Sequence, residues 1–233
     1  MIYHLSYLTS WNGLKYEGNL KMKRKLLYSF LFLAGLLAVM PYLLWHAESG
    51  RHLDVIILDK TVPDMTYREH SGIMWALNHY KYLTGEGNTY DLSEDYIGFH
   101  PQEDGSYSLT DLESAADAPA DLLYIADTYG VYENDFNNSQ VNGSRSELIA
   151  GGLTQEDVTE ITRRVQILET PLIAEFNSFA SPTETEVRTQ FTSLLGISWS
   201  GWIGRYFSEL DPTETDELPN WLMSSYETHS GNE

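Results

Sequence analysis

The chain has 233 residues, 14 of them basic and 34 acidic, for a formal charge of −20 at pH 7. It holds no cysteine, which excludes disulfides, thiolate metal sites and a cysteine nucleophile, while its 16 Tyr and 6 Trp are too many for a disordered acidic tail. The charge is divided: residues 1–45 carry five basic residues and one acid, and from His46 onward nine basic residues face 33 acids, a net of −24 that argues against nucleic-acid binding.

Lys21-Met22-Lys23-Arg24-Lys25 precedes Leu26–Trp45, twenty residues without a charge. At 1.5 Å per residue that run spans a hydrocarbon core of roughly 30 Å. By the positive-inside rule the basic cluster keeps the N-terminal end cytoplasmic, and Tyr42 and Trp45 fall at the far interface. A cleaved signal peptide would have a shorter apolar core, about 7–15 residues, and a small-residue exit; here the exit carries the bulky Trp45. The expectation is a single-pass cell-membrane anchor: residues 1–25 cytoplasmic, 26–45 transmembrane, 46–52 a polar stalk and 53–233 an extracytoplasmic domain. Met22 makes a natural start for such a protein, so residues 1–21 read as an over-extended one.

Beyond the stalk, Leu53–Leu58 is a continuous apolar run of the kind found in parallel sheets covered by helices. Tyr67–Leu83 has helical spacing at Ile73, Leu77 and Tyr80; Tyr90–Ser108 is polar and loop-like, with room for a short strand; Thr110 to Glu113 is a capping-box pattern opening a short helix. Asp121–Ala126 reads as a second buried strand, and Glu133–Ser146 as a polar loop. Thr154 caps a helix to about Leu168, with Val158, Ile161, Val165 and Leu168 on one face. Pro171–Ala174 is a third strand, and Ser181-Pro182-Thr183-Glu184 combines a capping box with Pro at the first helical position. Ile197–Phe207 fits a strand or an aromatic loop, and Pro219–Thr228 a last helix. Alternating strands and helices predict an α/β fold, a three-layer parallel-sheet domain; the polar ending Thr228–Glu233 suggests that its last elements are missing.

Ligands of open α/β sheets bind beyond the carboxyl ends of the strands, where strand order reverses. That rule selects Asp59 and Lys60 after the first strand, Asp127, Thr128 and Tyr129 after the second, and Glu175 and Asn177 after the third. Trp199, Trp202 and Arg205 add the densest aromatic cluster and a rare cation, suited to sugar stacking or to pairing with a carboxylate. Helix capping and turn formation by the same carboxylates is the competing structural reading. Other signals are weak. Asp135, Asn137 and Ser139 have calcium-loop spacing, but Gln140 and Ser146 stand where Gly and Glu belong. Asn137 and Asn142 head glycosylation sequons, the seven His lack zinc spacing, and neither a phosphate-binding loop nor a G-x-S-x-G elbow occurs. No metal and no cofactor is expected.

Pro171-Leu172-Ile173-Ala174-Glu175-Phe176-Asn177-Ser178-Phe179, followed by a Pro-capped helix, resembles the strand–turn–helix at which class I glutamine amidotransferase-like domains carry their nucleophile. The strand ends at Asp59-Lys60 and Asp127-Thr128-Tyr129 look like that flavodoxin-like fold too, over roughly residues 53–210. The resemblance implies the fold and a pocket at the strand ends. It does not imply the reaction, because active members place a cysteine where Glu175–Ser178 stands here, and no His-Glu pair follows. The run Leu194–Phe207 is similar to that of uncharacterised bacterial membrane-anchored proteins.

Three readings of function remain open. The first is an anchored domain binding a polar ligand, a carbohydrate or envelope polymer, without nucleophile chemistry. The second is a glycan hydrolase with Asp127 and Glu175 as its acid/base pair, which needs the two carboxyls about 5–9.5 Å apart in an open pocket. The third is a scaffold subunit of an envelope-assembly complex, using Trp199–Phe207 as its contact.

Overall fold

β-Branched residues favour extended backbone, and a strand apolar at every position needs cover on both faces. Val55-Ile56-Ile57-Leu58 meets both conditions. The computed structural model describes residues 3–136, 146–202, 204, 206–209, 211, 218 and 220–230, with the chain in two units, Met1–Ser49 and Gly50–Glu233.

The first unit is one helix, α1 (Tyr3–Ala47), with Pro41 inside it. Among the described residues its stretch Lys21–Ala47 is the one helical segment long and apolar enough to cross a membrane.

The second unit opens with β1 (Arg51–His52), which pairs in parallel with β3 (Tyr82–Leu83). The expected stalk is therefore helix up to Ala47 and strand from Arg51, whose guanidinium lies 5.2 Å over the Tyr82 ring. Between them run β2 (Val55–Asp59) and α2 (Arg68–His79). The buried face of α2 is His70, Met74 and Leu77, and Tyr80 points to solvent; the helix ends before Lys81, whose backbone is left-handed. Where Tyr90–Ser108 reads as a loop with room for one short strand, there are two, β4 (Ile97–Pro101) and β5 (Tyr107–Leu109). A 3-10 turn at Leu112–Ala115 is capped by Asp111, not Thr110: Asp111 Oδ1 accepts the Ser114 N–H at 2.9 Å, and Thr110 Oγ1 takes the Gly98 N–H instead.

Next come β6 (Leu122–Asp127), β7 (Val131–Tyr132), the single turn α3 (Glu133–Phe136) and β8 (Leu148–Ala150), which pairs with β7. The sequon and calcium-loop residues Asn137, Ser139, Gln140 and Asn142 lie outside the described residues. Helix α4 (Gln155–Gln166) starts at the expected Thr154 cap, which the structure extends to a capping box with both Thr154–Asp157 hydrogen bonds made; it stops before Leu168, which is exposed. β9 (Leu172–Ala174), a 3-10 turn at Phe176–Ser178, α5 (Thr185–Leu194) and α6 (Asn220–Ser230) complete the chain. Pro182 precedes α5 instead of occupying its first turn, because Thr183 Oγ1 is drawn to the Leu153 N–H at 3.0 Å and the cap falls on Glu184. The described residues of 197–207 form no strand.

Among the described residues five strands make the main sheet, in the order β5-β4-β2-β6-β9. β4, β2, β6 and β9 are parallel, and β5 is an antiparallel edge. The chain moves outward from β2 to β4 and β5, then returns to the other side of β2 for β6 and β9. Strand order thus reverses between β2 and β6. Alternate residues of β2 enter separate apolar clusters, as a two-residue period requires. Val55 and Ile57 join Met74 and Leu77 of α2 with Tyr90 and Tyr96; Ile56 and Leu58 join Leu123, Ile125, Val158, Ile161, Val187 and Phe191. Burying each aliphatic side chain contributes about 1.5–3 kcal/mol.

Candidate functional site

The register of β2 on β6 sets Asp59 beside Asp127, and the Lys60 N–H donates to the Asp127 carbonyl at 2.8 Å. Both strand-end carboxylates turn into the protein. Asp59 is fully buried; its Oδ1 accepts the Thr61 N–H at 2.9 Å and its Oδ2 lies 2.7 Å from His70 Nδ1. Burial pushes the Asp59 carboxyl above its usual range, the His70 and Thr61 hydrogen bonds oppose this, and the neighbouring Asp127 adds to the rise. His70 Nε2 stands 2.9 Å from the Leu92 carbonyl, an acceptor only, so that nitrogen carries a proton. One further proton is then shared between Nδ1 and Asp59.

Asp127 is 6% exposed and almost saturated. Oδ1 accepts from Thr61 Oγ1 at 2.7 Å and from the Tyr129 N–H at 2.6 Å, and Oδ2 accepts from Asn177 Nδ2 at 2.8 Å. Thr61 Oγ1 also accepts the Gly130 N–H at 2.8 Å. Thr128 is buried, with its hydroxyl 3.3 Å from the Asn177 carbonyl. Four of the sequence-selected residues (Asp59, Asp127, Thr128 and Asn177) therefore meet, and what they build is a closed hydrogen-bonded seam between three strand ends. Lys60 leaves that seam: its ammonium bonds Asp157 Oδ2 at 2.5 Å and the Gly152 carbonyl at 3.1 Å, tying β2 to the start of α4. Glu175 is exposed and accepts a hydrogen bond from the Tyr124 hydroxyl, whose pKa is raised first by burial and then by that carboxylate. Ser178 Oγ, in the turn after β9, is buried and has no hydrogen-bond partner among the described residues.

In front of the seam, between the ends of β2 and β6, lies a crevice of about 260 Å3. Thr61 and Gly130 form its floor; Tyr129, Asp64, Arg68 and Asp135 stand around it. Arg68 is held by Glu69, with Nε 2.9 Å from Oε1. Tyr129 is 43% exposed, and its ring sits 5.1 Å from that of Tyr132. Asp64 is kept below the usual carboxylate range by hydrogen bonds from the Thr66 hydroxyl and N–H.

The aromatic residues separate. Trp199 docks on its own domain, edge-on to Phe179 at 5.5 Å and under the Arg188 guanidinium at 5.1 Å. Trp202 is 86% exposed. Arg205 lies outside the described residues. Sequence reasoning did not select Thr61 or His70. For His70 the signal is its i, i+4, i+7 spacing with Met74 and Leu77, which places an imidazole on an otherwise apolar helix face. No family model, no curated protein and no solved structure matches the chain.

Proposed function

We propose that the chain is a membrane-anchored domain that holds a polar ligand, a carbohydrate or envelope polymer, in the crevice between β2 and β6 without chemically altering it. Residues 26–45 of α1 are the anchor, the basic residues before them mark the cytoplasmic end, and the acidic second unit faces outward. Within this reading the domain is a three-layer, flavodoxin-like relative of the amidotransferase-like domains. The parallel strands follow the chain order 2-1-3-4, and apolar clusters use alternate residues of β2, both in keeping with it. With Glu175–Ser178 in place of a cysteine elbow, amidotransferase chemistry has no nucleophile.

The observation that carries the reading is the state of Asp127. Three hydrogen bonds from Thr61, Tyr129 and Asn177 leave its carboxylate committed to the fold, whereas the crevice beside it offers polar groups and the face of Tyr129. A hydrolase reading needs Asp127 free to exchange a proton with a substrate. The scaffold reading draws support from Trp202 and Tyr206, 86% and 85% exposed.

The test is a binding screen of glycans and cell-wall fragments against the full chain in lipid nanodiscs, with Tyr129→Ala alongside. Saturable binding that weakens roughly tenfold in Tyr129→Ala, with folding intact, is expected. No bound fragment, or binding indifferent to Tyr129, would overturn the proposal. Loss of a co-purifying membrane protein in Trp202→Ala would favour the scaffold.

A further inference from the structure

The loop from Lys60 to Tyr67 is a partition between two cavities. Pro63, Asp64 and Thr66 face the crevice just described, while Met65 and Tyr67 line a second cavity of about 440 Å3 beyond the carboxyl end of β4. That volume lies within the range of small-molecule sites, roughly 300–1,000 Å3. The charged residues on its wall are Glu94 and Glu103, both exposed, and it has no Lys or Arg.

The other polar groups there are in different states. The Tyr96 hydroxyl donates to the Phe99 carbonyl at 2.8 Å, and its ring is stacked between His70 at 4.4 Å and His100 at 4.2 Å, so neither the hydroxyl nor the faces are free for a ligand. His100 stands 3.0 Å from Thr110 Oγ1 through Nε2, and burial pushes its pKa down, leaving an uncharged imidazole at neutral pH. Tyr67 is different. It is only 8% exposed and lines the cavity, yet among the described residues its hydroxyl has no hydrogen-bond partner. Its backbone is also left-handed, at φ 49 and ψ 41, a conformation a bulky residue holds only under strain. The Tyr67 ring is packed away while its hydroxyl opens on the cavity without a protein partner among the described residues, a polar group available to a ligand there. The potential there is negative: burial first, then Glu94, Asp91 and Glu103, raise the pKa of Tyr67.

We propose that this cavity binds a small molecule through a primary ammonium group, with Tyr67 Oη accepting one of its N–H bonds and Glu94 and Glu103 balancing its charge. A carboxylate or phosphate ligand would meet two like charges and no cation. An ammonium supplies the donor that Tyr67 lacks and the charge that the glutamates lack. Among the described residues no three His, Asp or Glu side chains converge as a metal ion would require, which favours an organic cation over a metal. The net charge of −24 from His46 onward raises the local concentration of any cation at this surface.

Calorimetric titration of the full chain in nanodiscs tests this with three probes: glucosamine, putrescine and N-acetylglucosamine, whose amide nitrogen is uncharged. Saturable 1:1 binding of glucosamine, putrescine or both is expected, with N-acetylglucosamine at least about tenfold weaker. Preference for glucosamine would assign the ammonium to an amino sugar, preference for putrescine to an aliphatic amine. Tyr67→Phe, which keeps the ring, and Glu94→Gln with Glu103→Gln should each reduce affinity about three- to tenfold at unchanged melting temperature. Equal affinity for N-acetylglucosamine, failure of both amines to bind, or full affinity in Tyr67→Phe and in the double glutamine variant would each overturn the proposal.

Discussion

The pair Asp59–His70 shows how a residue that looks catalytic can be a structural part. Both side chains are fully buried, and the Leu92 carbonyl fixes which imidazole nitrogen carries hydrogen. A protonated Asp59 donating to Nδ1 satisfies every group at that position without burying charge. Asparagine reproduces that hydrogen-bond pattern. Asp59→Asn should therefore stay within about 1 kcal/mol of the parent in urea unfolding at pH 7, whereas Asp59→Ala, which strands His70 and the Thr61 N–H, should lose about 2–4 kcal/mol. The pH dependence has a definite sign. Because the folded-state pKa of Asp59 is raised above 3.8, its contribution is fully present below that value and is lost as pH rises through the folded pKa. The stability difference should shift toward Asp59→Asn as pH rises. A loss of several kcal/mol in Asp59→Asn at pH 7 would mean a buried ion pair instead.

Among the elements, β4 is the one that local pattern hides. Its sequence, Ile97-Gly98-Phe99-His100-Pro101, contains two residues that weaken strands. Gly98 is nevertheless obligatory: its φ is 140°, and a Cβ there would lie 1.7 Å from the Asp59 carbonyl oxygen. Gly98→Ala should destabilise the domain by about 3 kcal/mol or more, read as a lowered urea midpoint. Survival of the parent midpoint would mean that β2 and β4 do not approach so closely. By contrast β2, β6, β9 and α4 are legible, because apolar runs and a Thr154 cap are local signals. The convergence of Asp59, Asp127 and Asn177 is also legible, since it follows from strand ends and topology alone. Their closure is not, because it depends on Thr61 bonding across to Asp127 and Gly130 and on His70 arriving from α2. Arg164 is hidden for the same reason. It is the largest fully buried side chain among the described residues, 2.8 Å from Glu160 Oε1 and bonded to the carbonyls of Ala115, Ala116 and Ala118, and nothing in the helix pattern distinguishes it from a solvated arginine.

At the scale of the whole molecule the two units differ in charge and in exposed chemistry. α1 carries basic residues beside an apolar stretch, and residues from His46 onward carry −24. A membrane orientation with the acidic domain outside predicts that added protease digests the second unit in intact cells and leaves the N-terminal end protected; the reverse pattern would invert the topology. Within the second unit, the carboxylates nearest the strand ends serve the fold, and the polar surface open to a ligand lies in the crevice and cavity on either side of the β2–α2 loop. Binding in the crevice without turnover requires that a retained ligand come off unchanged. It is tested most directly by incubating the full chain in nanodiscs with the cell-wall fragments it retains and measuring the mass of the recovered ligand. Intact fragments, retained by the parent and by Glu175→Gln but released by Tyr129→Ala, are the predicted result. Cleaved fragments whose release disappears in both Asp127→Asn and Glu175→Gln, with folding unchanged, would contradict it.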